Sequence, residues 1–166
     1  ETNIESILEQ DYDNYEVLYI DDCSTDKTKS LVENMVGDNP KFQIHTNEKN
    51  MKRGYNIAPK NLEHFFDDEE DILVFIDGDD WLPTSDVFSK LNNFYNKNKC
   101  WMTYGGMVCW EGGDDVTPAN PQNTPYEHNV HSNQSYRRDM WRASHLRTFK
   151  WFLYNQIKDE DLRYSK

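Results

Sequence analysis

Two short acidic runs hold the residues best suited to chemistry: Asp21-Asp22, and Asp77-Gly78-Asp79-Asp80. Carboxylates held this close repel one another unless a cation sits between them. Their hard oxygens suit Mg2+ or Mn2+ rather than a soft metal. Asp also closes turns and caps helices, and Asp21-Asp22 taken alone reads that way, ahead of a helix starting near Thr25. In the second run Gly78 is able to bend the backbone and aim three carboxylates inward. Two such runs, each ending an apolar segment, point to a ligand.

The preceding segments give the runs their position. Residues 15–20 (YEVLYI) and 72–76 (ILVFI) are short, continuous apolar stretches, the pattern of strands buried on both faces. In an open parallel sheet, ligands bind beyond the carboxyl ends of the strands, where strand order reverses. Five carboxylates are therefore expected along one edge.

The rest of the chain supplies the supporting elements. Ile4, Ile7 and Leu8 share a helical face, so the sequence opens inside a helix, as though a first strand were missing. Leu31, Val32, Met35 and Val36 form the inward stripe of a helix capped by Ser24 or Thr25 and ended by Gly37. Residues 42–46 read as a strand. Pro59 is expected in the first turn of a helix carrying Leu62, Phe65 and Phe66. Val87, Phe88, Leu91, Phe94 and Tyr95 mark another amphipathic helix. Strands are expected over 102–104 and 107–110. Residues 111–135, with Gly112, Gly113, Pro118, Pro121 and Pro125, read as a long loop. Helical character is expected again over 140–157.

Strands alternating with helices predict an α/β class: a Rossmann-like α/β/α sandwich with a mostly parallel central sheet, lacking its first strand. At 166 residues, one domain is expected. Residues 1–110 form its ligand-binding region, and 111–166 a loop and helical region.

Composition narrows the partners. With 30 acidic and 18 basic residues the formal net charge is −12, which repels nucleic-acid phosphates. Cys23, Cys100 and Cys109 are odd in number and lack CxxC spacing, so neither a disulfide framework nor a zinc site is indicated. A reducing, cytoplasmic location is the inference. No apolar run approaches the roughly 18 residues of a membrane span.

Three segments add a family resemblance. TNIESILEQDYDNYEVLYIDDCSTDKT resembles the opening of the family 2 glycosyltransferases of GT-A fold, in which a helix leads through a Tyr-Asn loop to a strand and a DDxSxD turn. NMKRGYNIAPKN is similar to the family's Asn-Gly-Ala-Arg-Asn-like segment, with a longer loop and Lys60 in the usual place of Arg. VFIDGDDWLPTSDVFSKL resembles its DxD motif and the helix after it. The likeness runs from residue 2 to about 110 and is weaker beyond.

The resemblance implies an inverting, metal-assisted transfer of sugar from a nucleotide sugar to a glycan, protein or lipid acceptor. By that likeness Asp79 ligates Mn2+ or Mg2+, Asp77 lies near the ribose or metal, and Asp80 is a second metal candidate. Asp22, with or without Asp21, contacts the base. A carboxylate facing the uracil N3–H makes a charge-assisted hydrogen bond, so a UDP-sugar is the expected donor. Lys60 and Arg53 are candidates to hold base or phosphates, with a solvated surface role as the alternative.

Inverting transfer needs a base for the acceptor hydroxyl. Asp159, Glu160 and Asp161 are the candidates, against the plainer reading of an acidic helix end. His145 is a candidate metal ligand or a hydrogen-bonded structural histidine. Trp141, Trp151 and Phe152 are candidates to stack on a sugar or to fill the core. Two other functions fit part of the pattern: a nucleotide- or sugar-binding module without catalysis, and a receiver-like Mg2+-binding phosphoacceptor domain. The latter would show one aspartate in place of DxDD.

Overall fold

The computed structural model describes residues 1–51, 62–112, 115–118, 124–140 and 142–162. In chain order the elements are α1 (Thr2–Leu8), β1 (Val17–Asp21), α2 (Thr28–Val36), β2 (Phe42–Thr46), β3 (Ile72–Phe75), α3 (Val87–Lys97), β4 (Met102–Gly105), β5 (Val108–Gly112), β6 (Asp115–Pro118), α4 (His128–Ser132), β7 (Ser144–Lys150) and α5 (Trp151–Tyr154). Short 3-10 turns lie at Glu63–Phe65, Tyr136–Arg138 and Asp159–Leu162. The chain groups into two compact units.

The first unit comprises Glu1–Asp71, Asp77–Lys99 and Trp151–Lys166. Within it β1 and β2 pair in parallel, Val17 opposite Phe42 through to Asp21 opposite Thr46. Parallel neighbours need a crossover, and α2 supplies it. The apolar spacing of α2 turns Val32 and Val36 inward against Ile4 of α1, while Tyr19, Met35, Phe42 and Ile44 pack around them. Burying each large apolar side chain contributes about 1.5–3 kcal/mol. Gly37 takes up a positive φ of 53° as α2 ends, a backbone state that costs glycine little.

The second unit comprises Ile72–Ile76 and Cys100–Lys150. Its larger sheet has the order β3-β7-β4, with β7 antiparallel to both neighbours. The Thr103 and Thr148 hydroxyls meet across β4 and β7 at 2.6 Å, and Thr148 is fully buried. Strands β5 and β6 form a separate antiparallel pair. Tyr126 is buried, edge-on to both Tyr104 of β4 and Tyr136.

The strands expected from the apolar runs are present: β2 with the expected bounds, β1, β3, β4 and β5 shifted by one or two residues. The helical reading of 140–157 is corrected. Residues 144–150 are the strand β7, and only Trp151–Tyr154 is α-helix. Aromatic and basic residues at mixed spacing do not specify a strand locally, and it is the pairing with β3 and β4 that decides it. The expected loop 111–135 likewise holds β6 and α4. The helix expected from Pro59 falls largely outside the described residues; of its apolar positions Leu62 is helical and buried, Phe65 ends the turn Glu63–Phe65, and Phe66 follows it.

Candidate functional site

The first acidic run closes β1. Asp21 is the last strand residue and is 3% exposed. Its Oδ2 accepts the Ser24 amide at 3.2 Å. This return is possible because Cys23 adopts φ 63°, a left-handed state uncommon outside glycine, Asn and Asp. The buried Asp21 Oδ1 has no hydrogen-bond partner among the described residues, an arrangement that calls for an explanation in a native site. Burial, with Asp21 and Asp26 adding to it, pushes the Tyr19 phenol above its usual pKa.

Asp22 organises the loop that follows β2. Its Oδ1 accepts the Asn47 side-chain amide at 2.8 Å and the Met51 backbone amide at 2.7 Å. The Asn50 side chain donates to the Asp22 carbonyl at 3.1 Å, and the Asn47 amide to the Asp21 carbonyl at 2.9 Å. Asn47 carries no chemical signature in the sequence, and Asn50 and Met51 enter it only as the start of the family-like segment, so their bonds to Asp22 were not legible there. Lys60 and Arg53 lie outside the described residues.

The second run follows β3 in the chain. The Asp80 amide donates to the Asp77 carbonyl at 3.0 Å and closes a tight turn. That turn brings a carboxylate oxygen of Asp77 and one of Asp80 within 4.8 Å of each other. Both residues are half-buried, whereas Asp79, between them, is exposed. Two oxygens bound to one small cation at about 2.1 Å lie at most about 4.2 Å apart. A small side-chain movement suffices for both to grip one ion, so the donor chemistry fits Mg2+ or Mn2+. Gly78 has no positive φ, and a Cβ added there meets nothing within 4 Å. The turn therefore does not depend on glycine's conformational freedom, and the Asp80 to Asp77 bond closes it.

The remaining candidates fall as follows. His145 is a half-buried residue of β7 in the second unit. Asp159, Glu160 and Asp161 form the 3-10 turn after α5, where Glu160 and Asp161 are exposed and Glu160 pairs with Lys158 at 3.9 Å. Trp151 is buried and stacked on Phe66 with centroids 4.3 Å apart. It fills the core and is not a sugar platform. Trp141 lies outside the described residues, and Phe152 is half-buried.

Comparison with solved structures bears on the α/β framework that carries these residues. The chain superposes on the Staphylococcus aureus TarS 1-349 crystal structure with TM-score 0.64 and 19% identity, over 92% of this chain and 43% of that one. It thus has the α/β fold of GT-A glycosyltransferases. The sequence model of Glycosyl transferase family 2 matches residues 1–162, and the chain belongs to that family. An uncharacterized glycosyltransferase of Haemophilus influenzae is 30% identical over 105 residues, which are 62% of this chain and 39% of the relative. The chain thus spans less than half the length of either protein. Among the described residues no helix is long and apolar enough to cross a membrane.

Proposed function

We propose that the protein transfers a sugar from a nucleotide sugar, a UDP-sugar, to a hydroxyl of a glycan, protein or lipid acceptor, with inversion and with the aid of Mn2+ or Mg2+. The observation that carries this reading is the Asp77 and Asp80 carboxylate pair in a closed turn, in a family 2 chain. A divalent cation there would offset the negative charge that develops on the diphosphate leaving group. Asp77 and Asp80 supply oxygens for it, Asp79 is a further ligand by family likeness, and His145 is a candidate on sequence grounds alone.

Asp21 and Asp22 at the end of β1 are the candidates for the base, and Lys60 for the base or phosphates. The Asp22 carboxylate already accepts two protein N–H groups, so its first effect is to hold the 47–51 segment in place. The buried Asp21 Oδ1, without a hydrogen-bond partner among the described residues, supports a part for that residue in ligand recognition. Asp159, Glu160 and Asp161 remain the candidate bases.

Calorimetry with UDP tests the metal assignment. UDP is expected to bind at least tenfold more tightly with Mn2+ than with chelator, and Asp80→Asn or Asp79→Asn to remove most of that gain without lowering Tm. Equal affinity with and without metal would sink the assignment. A screen of nucleotide sugars for donor hydrolysis and transfer then separates an enzyme from a binding module.

A further inference from the structure

Helix α1 contributes no residue to the acidic turn, yet its polar side chains are tied to it. Asn3 donates from Nδ2 to the Asp77 carbonyl at 3.1 Å and to the Asp80 carbonyl at 2.6 Å. Ser6, buried, accepts the Leu82 amide on Oγ at 3.0 Å and donates to the Asn3 carbonyl at 2.8 Å. Gln10, also buried, donates to the Ser6 and Thr84 carbonyls at 3.0 and 2.8 Å and accepts the Phe88 amide at 3.1 Å. The spacing 3, 6, 10 keeps these residues along one side of α1 and the turn after it. Each is answered by a successive point of the stretch from Asp77 to Phe88.

From this geometry we infer that Asn3 is a positioning residue for the metal-binding carboxylates, and that Ser6 and Gln10 extend the same clamp towards the start of α3. The inference rests on the metal reading of the Asp77 and Asp80 pair. Two carbonyl acceptors fix the orientation of the Asn3 amide, because only its NH2 end can donate to both. Its bonds reach the backbone on either side of the turn and use none of the carboxylate lone pairs. Two like charges within 4.8 Å repel and tend to open the turn. The Asn3 bonds to the first and last carbonyls oppose that opening before any cation arrives. Partners that hydrogen-bond metal ligands directly are typically worth about 10–100-fold in metal affinity, and a backbone clamp such as Asn3 is expected at the low end of that range.

Three proteins test this: the wild type, Asn3→Ala and Asn3→Asp. The last keeps the shape but turns a carboxylate oxygen towards the two carbonyls. Mn2+ affinity is measured by electron paramagnetic resonance with and without UDP, alongside Tm and the hydrogen exchange of the 77–82 amides. The expected result is Mn2+ affinity lower by roughly tenfold in Asn3→Ala and lower still in Asn3→Asp, with faster exchange over 77–82. Wild-type Mn2+ affinity in both variants overturns the positioning role even if Tm falls, since a purely structural asparagine would change Tm alone. A wild type that binds no Mn2+ overturns the metal reading itself. In that case the exchange data still report whether Asn3 holds the turn.

Discussion

Asp21 and Asp22 are neighbours in sequence with opposite surroundings. Asp22 Oδ1 is engaged by Asn47 and Met51, whereas Asp21 Oδ1 is buried with no hydrogen bond among the described residues. A charge-assisted bond contributes about 1.5–3 kcal/mol, so Asp22→Ala is expected to lower UDP affinity under either of two mechanisms. If Asp22 meets the base, the variant also discriminates less between UDP and other nucleoside diphosphates. If it only holds the 47–51 segment, affinity for all of them falls in parallel. Asp21→Asn, which keeps the shape and replaces one acceptor by a donor, is expected to change the order of preference among UDP, CDP, GDP and ADP. Calorimetric titration of the four nucleotides decides, and unchanged affinity and preference in both variants would return the pair to turn chemistry.

At the level of elements, two glycines near strand ends carry opposite demands. A Cβ on Gly105, at the end of β4, would lie 2.8 Å from the His145 carbonyl oxygen and 2.9 Å from the Leu146 amide nitrogen, where the register of β4 on β7 shifts. Gly105→Ala must push that backbone aside and is expected to cost about 1–3 kcal/mol. At Gly78 the added methyl enters open space, and Gly78→Ala should stay within about 0.5 kcal/mol of wild type. Denaturant unfolding of both variants checks the pair, and equal losses would contradict it. The contrast also marks what the sequence made legible. The runs ILVFI and FQIHT announced β3 and β2 because apolar residues at strand spacing are a local signal. In SHLRTFK there is no such signal, since β7 owes its state to partners distant in the chain. The two acidic runs were legible as residue types at strand ends. The clamp on the second was not, because Asn3 reaches across 74 and 77 residues to its acceptors.

For the molecule as a whole, donor binding and sugar transfer place different demands on the chain. On the proposed reading, binding draws on the strand-end carboxylates, while transfer also needs an acceptor hydroxyl held beside a base. The acidic turn 159–161 is the sequence candidate for that base, but the described Glu160 and Asp161 are exposed and Glu160 is ion-paired with Lys158. To serve as a base, a carboxylate of this turn must lie beside the bound acceptor hydroxyl. A triple variant, Asp159→Asn, Glu160→Gln and Asp161→Asn, separates the possibilities. If the turn holds the base, transfer should fall by about 10²–10⁴-fold while metal-dependent UDP affinity stays within twofold of wild type. Calorimetry and a transfer assay on the same preparation measure both. Transfer at the wild-type rate would assign the base to another residue and leave 159–161 as a solvated helix end.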